Sequence, residues 1–456
     1  MRSVSKTTRN TKSLPRISVI GLGKLGACYA AFLTRSGFEV LGFDVDERKV
    51  ASIEAGKAPV PEPGLQDYIS AANGRLSATT DIDRLIAETD TTFIIVPTPS
   101  EKSGLFSVDY VAAAARAMGP ALRRKKGWHT FVLVSTVLPG DSRERIIPEF
   151  ERASGKKCGH DFGYVYSPSL IAIGDILNNL ERPDFLFSGA HDEKSQRAID
   201  RVFAAVYPPE QAVERMSIES AELAKIALNS FLTMKISFAN GLAAIAARIP
   251  NADVDEITNA IGKDSRIGKK FLKAGLGFGG PCFPRDNRAF YAMARQRGFT
   301  AHLARSTDLL NTTTEESMYA LLKEHAVNKR DVIGFLGISY KPKTTHGEAS
   351  QALALAERML RARYRVAVFE PLGSAEAQTL LGKSVLYSPL LEDLARRSAV
   401  IFVSNPDPLF SALPAVLQRP KKRTVVIDPW GMFDAGAFPK HVTYVAHGRR
   451  PAPKRK

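Results

Sequence analysis

Residues 16–46, RISVIGLGKLGACYAAFLTRSGFEVLGFDVD, constrain the fold more than any other stretch of the chain. An apolar run precedes the pattern G-x-G-x-x-G at 21–26, a helical stretch follows it, and a second apolar run at 39–43 ends at Asp44. A strand, a glycine-rich turn, a helix and a second strand that ends in an acid form the unit that binds dinucleotides. The segment therefore predicts a doubly wound α/β domain.

Each residue of this pattern has its own predicted role. Gly21 makes the tight turn, Gly23 lets the backbone approach a pyrophosphate at the helix N-terminus, and Gly26 lets helix and strand pack closely. Asp44 can accept hydrogen bonds from a ribose diol, and its charge repels a 2'-phosphate, which favours NAD over NADP. Together with Lys24 these residues form the predicted NAD site. A Rossmann-like unit without a ligand is the alternative.

Three further apolar runs that end in small polar residues and prolines are predicted strands: 91–100, 130–140 and 162–169. In a doubly wound sheet the carboxyl ends of the strands form the ligand crevice. Thr98, Ser135 and Thr136 lie at such ends, so we predict that they contribute to a binding site. Capping of a strand end is the simpler alternative for each of them.

The pattern changes after about residue 210. Residues 217–249 form a long helical pattern that could link two domains, and Lys225 and Asn229 share one of its faces because they are four residues apart. A solvated helix face is the alternative interpretation of that pair. From about residue 330 strands and helices alternate again without a G-x-G-x-x-G pattern, which predicts a second nucleotide-binding-type sheet for a different ligand.

A chain of 456 residues is expected to form two or three domains. The predicted fold is two Rossmann-like doubly wound domains joined by a long central helix and a helical segment. The predicted parts are a disordered basic tail (1–15), an NAD-binding domain (16–208), a central helical segment for dimerisation and the catalytic loop (209–325), a C-terminal nucleotide-sugar-binding domain (326–445) and a second basic tail (446–456).

The formal net charge of +16 does not by itself indicate nucleic-acid binding. Residues 1–16 and 449–456 hold five basic residues each and no acidic residue, so they supply +10 of this charge. Such segments are typical of disordered arms. The rest of the chain lacks interleaved basic and aromatic residues, so no specific nucleic-acid partner is expected.

Cysteine content and hydropathy bear on location. The three cysteines are an odd number in a long chain, which argues against a disulfide framework. No apolar run is long enough to span a bilayer, and the N-terminus lacks the hydrophobic core of a secretory signal. A reducing, cytoplasmic setting is therefore expected, and no metal site is predicted.

The segment GLGFGGPCFPRD, residues 275–286, places Cys282 between two prolines after a run of glycines. Neither a helix interior nor a strand interior is built this way, so a loop is predicted. The glycines would let another molecule approach its backbone. A tight surface turn with an incidental thiol is the alternative for these twelve residues taken alone.

These features together resemble the nucleotide-sugar dehydrogenases, the UDP-glucose and GDP-mannose dehydrogenase family. The resemblance runs from about residue 16 to 435. The stretches that carry it are EPGL (62–65), STVLPG (135–140), AELAKIALNSFLTMKISFAN (221–240), SRIGKKFLKAGLGFGGPCFPRD (265–286) and LGISYKPKT (336–344).

The resemblance implies that NAD oxidises a primary alcohol of the sugar twice. Cys282 would be the nucleophile that forms a thiohemiacetal and then a thioester, which water hydrolyses to a uronic acid. Lys225 would favour the thiolate and, with Asn229, stabilise the oxyanion. Asp286 would help to handle protons and water, and Thr136 would bind a water molecule.

The substrate-binding residues that the resemblance implies are Lys225, Asn229, Arg266, Lys273, Gly279 and Lys341. Arg266 matches an arginine that reaches the substrate of the neighbouring subunit, so a homodimer or higher homo-oligomer is expected. A role in supplying polysaccharide or glycoconjugate precursors is implied as well.

Three departures from the family pattern cluster at this predicted site. Ser169 and Ile173 stand where the family has glutamates, and loss of general-base assistance typically costs ~10²–10⁴-fold in rate. Glu348 stands in place of an arginine expected near the cofactor, and DPW at 428–430 replaces D-G-R. Asp175 is one carboxylate that could stand in for the missing base.

The departures leave alternatives open beside a complete oxidation. One is the same fold with an altered second half-reaction, which yields an aldehyde or holds a thioester. Another is a non-catalytic paralogue that binds nucleotide sugars. A simpler dehydrogenase that acts on a small hydroxy acid is a third, although it would not need Cys282.

Overall fold

The computed structural model describes residues 14–344, 346–373, 375–418 and 423–450. These residues divide into two compact units. The first runs to Lys102 and resumes from Phe106 to Lys225, and the second contains Ser103–Leu105 and the chain from Ile226 onward.

In the first unit, the described residues form the strands β1 (Ile17–Ile20), β2 (Val40–Phe43), β3 (Leu76–Thr79), β4 (Thr91–Ile94), β5 (Thr130–Leu133), β6 (Gly163–Tyr166), β7 (Leu186–Ala190) and β8 (Val213–Met216). They make one sheet in the order β3-β2-β1-β4-β5-β6-β7-β8, in which β6 and β7 are antiparallel and the other neighbours parallel. β1, β2, β4, β5 and β6 are buried along their whole length, as expected of parallel strands that are covered on both faces.

The helices of the first unit are α1 (Lys24–Arg35), α2 (Glu47–Glu54), α3 (Leu65–Ser70), α4 (Ile82–Glu88), α5 (Asp109–Arg124), α6 (Ile147–Ser154), α7 (Ile176–Glu181) and α8 (Glu193–Val206). Several begin where an aspartate caps free backbone N–H groups: Asp46 caps α2, Asp81 caps α4 and Asp192 caps α8. The next helix, α9 (Ile218–Ala246), is the predicted long helix, and it contains Lys225 and Ile226, where the two units are divided.

The second unit continues with the helices α10 (Val254–Ile261), α11 (Phe283–Gln296), α12 (His302–His325), α13 (Gln351–Arg361), α14 (Ala375–Leu381), α15 (Leu391–Arg397) and α16 (Leu413–Val416). Its strands are β9 (Val332–Leu336), β10 (Arg365–Phe369), β11 (Leu386–Tyr387), β12 (Ser398–Val403), β13 (Thr424–Ile427) and β14 (Val442–Val445). They form a parallel sheet in the order β11-β10-β9-β12-β13-β14. This order repeats that of the first six strands of the other sheet, and it is the order of dinucleotide-binding domains.

Two predicted boundaries need correction. The sheet of the first unit continues to β8 and therefore extends past residue 208. Residues 446–450 are not a tail, because the Arg449 side chain is only 6% exposed and its Nε lies 2.6 Å from Asp255 Oδ2. The Gly448 carbonyl likewise accepts a hydrogen bond from the Val254 N–H.

Of the expected tails, 1–15 and 446–456, residues 1–13 and 451–456 lie outside the described residues. Within the part of the chain that is described, no helix combines the length and the apolar character needed to cross a membrane.

Candidate active site

The glycine turn after β1 has the geometry that a dinucleotide site requires. Gly21 has φ +93°, and a side chain there would overlap the carbonyl oxygen of Ile95. A Cβ on Gly26 would overlap the Gly21 carbonyl oxygen, so helix α1 packs here only with glycine. A Cβ on Gly23 would meet no atom within 4 Å, which leaves this stretch of backbone open to a ligand.

This contrast predicts that two alanine substitutions affect different properties, NAD binding in one case and stability in the other. Gly23→Ala is expected to weaken NAD binding at least ~10-fold, about 1.4 kcal/mol, without changing the melting temperature, because its methyl group occupies ligand space rather than protein space. Gly26→Ala is expected to destabilise the fold by ~1–3 kcal/mol through overpacking. Thermal unfolding and NAD titration measure both effects.

Gly127→Ala is the control for both variants, because a Cβ at Gly127 also meets no atom within 4 Å. It should change neither NAD binding nor stability. Equal loss of stability in Gly23→Ala and Gly26→Ala would contradict the assigned roles.

Asp44 is held against the glycine turn. Its Oδ2 accepts a hydrogen bond from the Leu22 N–H at 2.7 Å, and its Oδ1 accepts one from the Asp46 N–H at 2.9 Å. Lys49 Nζ lies 3.0 Å from Oδ2, and the side chain of Asp44 is 8% exposed. Together with the N-terminus of α1, where the N-cap Gly23 supplies no side-chain cap, this arrangement fits an NAD ribose and pyrophosphate.

The predicted strand-end residues do meet at the carboxyl ends of β4 and β5. Thr98 Oγ1 donates to the Thr136 carbonyl at 2.8 Å. Ser135 Oγ accepts from the Val96 N–H at 3.0 Å and donates to the Val96 carbonyl at 2.6 Å. These hydroxyls therefore join the two strand ends and shape this edge of the sheet.

A buried glutamate that sequence reasoning missed holds the STVLPG loop. Glu222 is fully buried on α9, and its carboxylate accepts hydrogen bonds from the Gly140 N–H at 2.7 Å and the Ser142 N–H at 3.0 Å. It lies one helical turn before Lys225, so the same helix carries both residues. An acidic residue inside an apolar helix was the available signal.

Burial raises the pKa of the Glu222 carboxyl from 4.5 to about 7, with Asp141 adding to the rise and the hydrogen bonds from Ser142 and Gly140 opposing it. An acid whose pKa is higher in the folded state stabilises the fold below pH 4.5 and loses that contribution as the pH rises through 7. The change is at most about 3 kcal/mol at 1.36 kcal/mol per pKa unit.

Glu222→Gln should therefore flatten the pH dependence of the unfolding free energy between pH 4.5 and 7. Urea unfolding at several pH values measures this. Glu316→Gln, at an exposed glutamate on α12, is the control and should keep the native profile. An unchanged profile in Glu222→Gln would contradict the assignment.

Lys225 reaches the loop in which the family glutamates are replaced. Its Nζ donates to the Ser169 carbonyl at 2.9 Å, and Lys225 is 8% exposed. Tyr29 lines the same cavity as Ser169, and burial raises the pKa of its phenol to about 12. Neither hydroxyl can therefore act as a base near neutral pH.

Two carboxylates lie along the same loop, beside the half-buried Ile173. Asp175, the predicted stand-in, accepts hydrogen bonds at 3.2 Å from the side chains of Asn178 and Asn179. The other carboxylate is that of Glu62, in the EPGL motif, whose Oε1 accepts from the Gly174 N–H at 2.8 Å and the Ile176 N–H at 3.2 Å. Both carboxylates thus order the loop.

The second unit brings three of the predicted catalytic residues together. Cys282 is exposed and immediately precedes α11, and its carbonyl accepts the N–H of Asp286 at 2.8 Å. Asn229 Nδ2 donates to Asp286 Oδ2 at 2.6 Å. Asp286 is 1% exposed, and Arg285 Nε lies 3.2 Å from its other oxygen. A helix N-terminus stabilises negative charge, so this position suits a nucleophilic thiolate.

The predicted substrate residues of the second unit differ in exposure. Lys273 is exposed, and Lys341 is half-buried in the segment that follows β9. Arg266 is 87% exposed and pairs locally with Asp264 at 2.6 Å. Gly279 has no room for a side chain, because a Cβ there would overlap the carbonyl oxygen of Ala349.

The remaining departures have structural roles in the second unit. Trp430 packs its ring on Gly275, and its Nε1 donates to the Ser404 carbonyl at 3.1 Å, so the indole supports the loop that leads to Cys282. Arg449 donates to the Trp430 carbonyl at 3.0 Å. Glu348 is exposed, and its own carbonyl accepts a hydrogen bond from the loop.

Two sheets that share the strand order of dinucleotide-binding domains define a nucleotide-binding α/β protein. Three family models match the chain. They are the NAD binding domain (15–207), the central domain (219–313) and the UDP binding domain (334–435) of the UDP-glucose/GDP-mannose dehydrogenase family. The chain belongs to this family, and the predicted membership, fold class and NAD cofactor are confirmed.

Relatives with curated names cover almost the whole chain. It is 34% identical over 416 residues to the UDP-glucose 6-dehydrogenase AglM of Haloferax volcanii, which covers 90% of this chain and 95% of that protein. It is 31% identical over 409 residues to the GDP-mannose 6-dehydrogenase of Pseudomonas aeruginosa, at 87% and 92% coverage. The structure of a UDP-glucose dehydrogenase from Pyrobaculum islandicum superposes with a TM-score of 0.88 at 30% identity, covering 98% of this chain and 100% of that one.

Proposed function

We propose that the protein oxidises the primary alcohol of a nucleotide sugar similar to UDP-glucose to the uronic acid, with NAD as oxidant and Cys282 as nucleophile. The observation that carries this proposal is the group of Cys282, Asn229 and Asp286 within the second unit. Cys282 and Asp286 are one turn apart at the start of α11, and the 2.6 Å hydrogen bond fixes Asn229 on the buried carboxylate.

When bound, NAD would accept one hydride in each oxidation, so the complete reaction would consume two NAD per sugar. In the first oxidation the alcohol loses a proton and a hydride and becomes an aldehyde. The Cys282 sulfur then bonds to the aldehyde carbon, and the carbonyl oxygen takes up a proton. Loss of a hydride and a proton from this thiohemiacetal leaves a thioester on Cys282.

Hydrolysis completes the sequence. Water adds to the thioester carbon, the carbon–sulfur bond breaks, and the Cys282 thiolate and the uronic acid separate. We assign oxyanion stabilisation to Lys225 and Asn229, since both have side chains nine-tenths buried and fixed by hydrogen bonds. Asp286 orients Asn229 and handles protons, and we assign water binding to Thr136.

The substrate class is tested with purified protein, NAD and a panel of UDP-glucose, GDP-mannose and a small 2-hydroxy acid. NADH formation and a raised melting temperature with a nucleotide sugar, and neither with the hydroxy acid, are expected. A response to the hydroxy acid alone would replace the proposal with a simpler dehydrogenase.

A second candidate is the same chemistry that stalls at the thioester. It is favoured by Ser169, whose side chain carries no carboxylate to assist hydrolysis. Glu62 and Asp175 are the nearby carboxylates of that loop, and both already hold local hydrogen bonds. Intact mass spectrometry after mixing with NAD and substrate would show a lasting acyl adduct on Cys282 if hydrolysis has been lost.

A homodimer is part of the proposal. Phe231, Phe238 and Ile245 lie seven residues apart on α9 and are 57%, 52% and 57% exposed. Apolar residues at this spacing form one stripe along a helix, and such a stripe is typical of a helix–helix interface. Arg266, exposed in its own subunit, would then be available to a neighbouring one.

Phe238→Asp is expected to convert this dimer to a monomer at micromolar concentration, because it buries a charge in an apolar contact. Light scattering coupled to gel filtration measures the mass. Phe299→Asp, at another exposed phenylalanine outside the stripe, is the control and should leave the mass unchanged. A Phe238→Asp protein that keeps the native mass would exclude this face.

We also propose a reducing, cytoplasmic location and a role in supplying sugar acids for polysaccharide or glycoconjugate synthesis. The location is supported by thiols rather than disulfides at Cys28 and Cys158, where burial raises the pKa of each thiol to about 12. Such cysteines are inert structural residues.

A further inference from the structure

The loop before Cys282 is held by two side-chain amides. The Gly277 N–H donates to Gln351 Oε1 at 2.7 Å, and the Phe278 N–H donates to Asn311 Oδ1 at 2.8 Å. Asn311 Nδ2 returns a hydrogen bond to the Phe278 carbonyl at 3.0 Å. Gln351 Nε2 donates to the Asn311 carbonyl at 2.8 Å, so the two amides form one connected network. Gln351 is only 7% exposed.

The same loop contacts the turn that precedes α13. The Gly280 N–H donates to the Glu348 carbonyl at 2.9 Å. A Cβ on Gly279 would overlap the Ala349 carbonyl oxygen, and one on Gly280 would lie 2.6 Å from the Tyr340 ring. The two segments are therefore in direct backbone contact, and neither can shift without moving the other.

The turn that precedes α13 is also hydrogen bonded to the segment that carries Lys341. Ser350 Oγ donates to the Ile338 carbonyl at 2.6 Å, and the Tyr340 N–H donates to the His346 carbonyl at 3.0 Å. A ligand that displaces Lys341 is therefore expected to displace residues 346–351 as well. Through Gln351 this displacement reaches the loop that ends at Cys282.

We propose that Gln351 and Asn311 are positioning residues that couple binding of the nucleoside diphosphate part of the substrate at Lys341 to the position of Cys282. The inference rests on the proposed function, because it takes Lys341 as a nucleotide contact. The nucleotide part of the substrate, which is distant from the reacting alcohol, would then determine the position of the Cys282 thiol. Binding energy from a non-reacting part of the substrate is then used in the chemical step.

The test follows alkylation of Cys282 by iodoacetamide, located by peptide mass, with and without saturating UDP or GDP. In the native protein the nucleotide is expected to change the alkylation rate at least ~5-fold, the lower end of ordinary coupling between sites. In Gln351→Ala the nucleotide should bind within ~3-fold of the native affinity, as measured by calorimetry, while the change in alkylation rate disappears. Gln296→Ala, at an exposed glutamine at the end of α11, is the matched control and should behave as native.

Steady-state kinetics separate positioning from general damage. Gln351→Ala should lower kcat ~10-fold with KM for the nucleotide sugar within ~3-fold of native. Gln351→Glu keeps an oxygen to accept the Gly277 N–H but cannot donate to Asn311, so it should recover part of kcat. If Gln351→Ala does not fold, Gln351→Glu is used for the alkylation test.

The outcomes separate the two proposals. A Gln351 variant that keeps the full nucleotide effect on Cys282 overturns this inference. So does a native protein that binds nucleotide without any change in alkylation, although the proposed function then stands. A native protein that binds neither UDP nor GDP overturns both.

Discussion

Cys282→Ser is expected to abolish uronic acid formation, lowering turnover by ~10³-fold or more, as removal of an enzyme nucleophile does. A serine hydroxyl is far less nucleophilic than a thiolate, and the N-terminal end of α11 can stabilise charge only on a group that ionises readily. Because the aldehyde needs no nucleophile to form, NADH production limited to the first oxidation can persist. Chromatography of the products alongside NADH absorbance distinguishes the two steps.

The control for this substitution is Cys158→Ser. Burial, with smaller effects from Asp192 and Glu151, raises the pKa of the Cys158 thiol to about 12, so that thiol stays protonated at assay pH. Its removal should leave both oxidations intact. Full uronic acid formation by Cys282→Ser would show that the nucleophile is another group.

Asp286→Asn is expected to lower kcat ~10²–10³-fold, within the range that general acid–base groups contribute, with little change in KM. The carboxylate is 1% exposed, accepts a hydrogen bond from Asn229 at 2.6 Å, and lies 3.2 Å from Arg285 Nε. An amide in its place cannot accept both contacts and carry the negative charge, so Asn229 loses its orientation. Steady-state kinetics at several substrate concentrations give kcat and KM separately.

Asp308→Asn is the matched control, since Asp308 pairs with the exposed Arg288 at 3.5 Å. It should keep native kinetics, because surface ion pairs contribute about 0–1 kcal/mol. Thermal unfolding of both variants shows whether the kinetic loss exceeds any loss of fold. An Asp286→Asn protein that keeps more than a third of native kcat would remove Asp286 from the mechanism.

Local patterns predicted those parts of the protein in which spacing along the chain determines contact in space. The glycines at 21–26 and the acid at 44 lie within one βαβ unit, so their separate roles follow from the order of residues. Lys225 and Asn229 share a helix, as their spacing predicted. Each of these relations spans few residues and depends on regular backbone geometry. The loop predicted for residues 275–286 is wrong at its end, because α11 already begins at Phe283.

Contacts between segments that are distant along the chain were not predicted from the sequence. Arg449 looked like part of a basic tail, yet its guanidinium is buried against Asp255, 194 positions earlier. Glu222 looked like one charge in a helix, yet it holds a loop 82 residues away in the chain. A charged or amide side chain gives no sign in the sequence of the backbone group it will satisfy, because that partner is set by tertiary packing.

The measurement that tests the account most directly is the amount of NADH formed per nucleotide sugar consumed, with purified protein, excess NAD and UDP-glucose first. Two NADH per sugar with continued turnover is the predicted result, because the account requires both oxidations and hydrolysis of the Cys282 thioester. One NADH per sugar, with an aldehyde product, would contradict the central claim of a four-electron oxidation through Cys282.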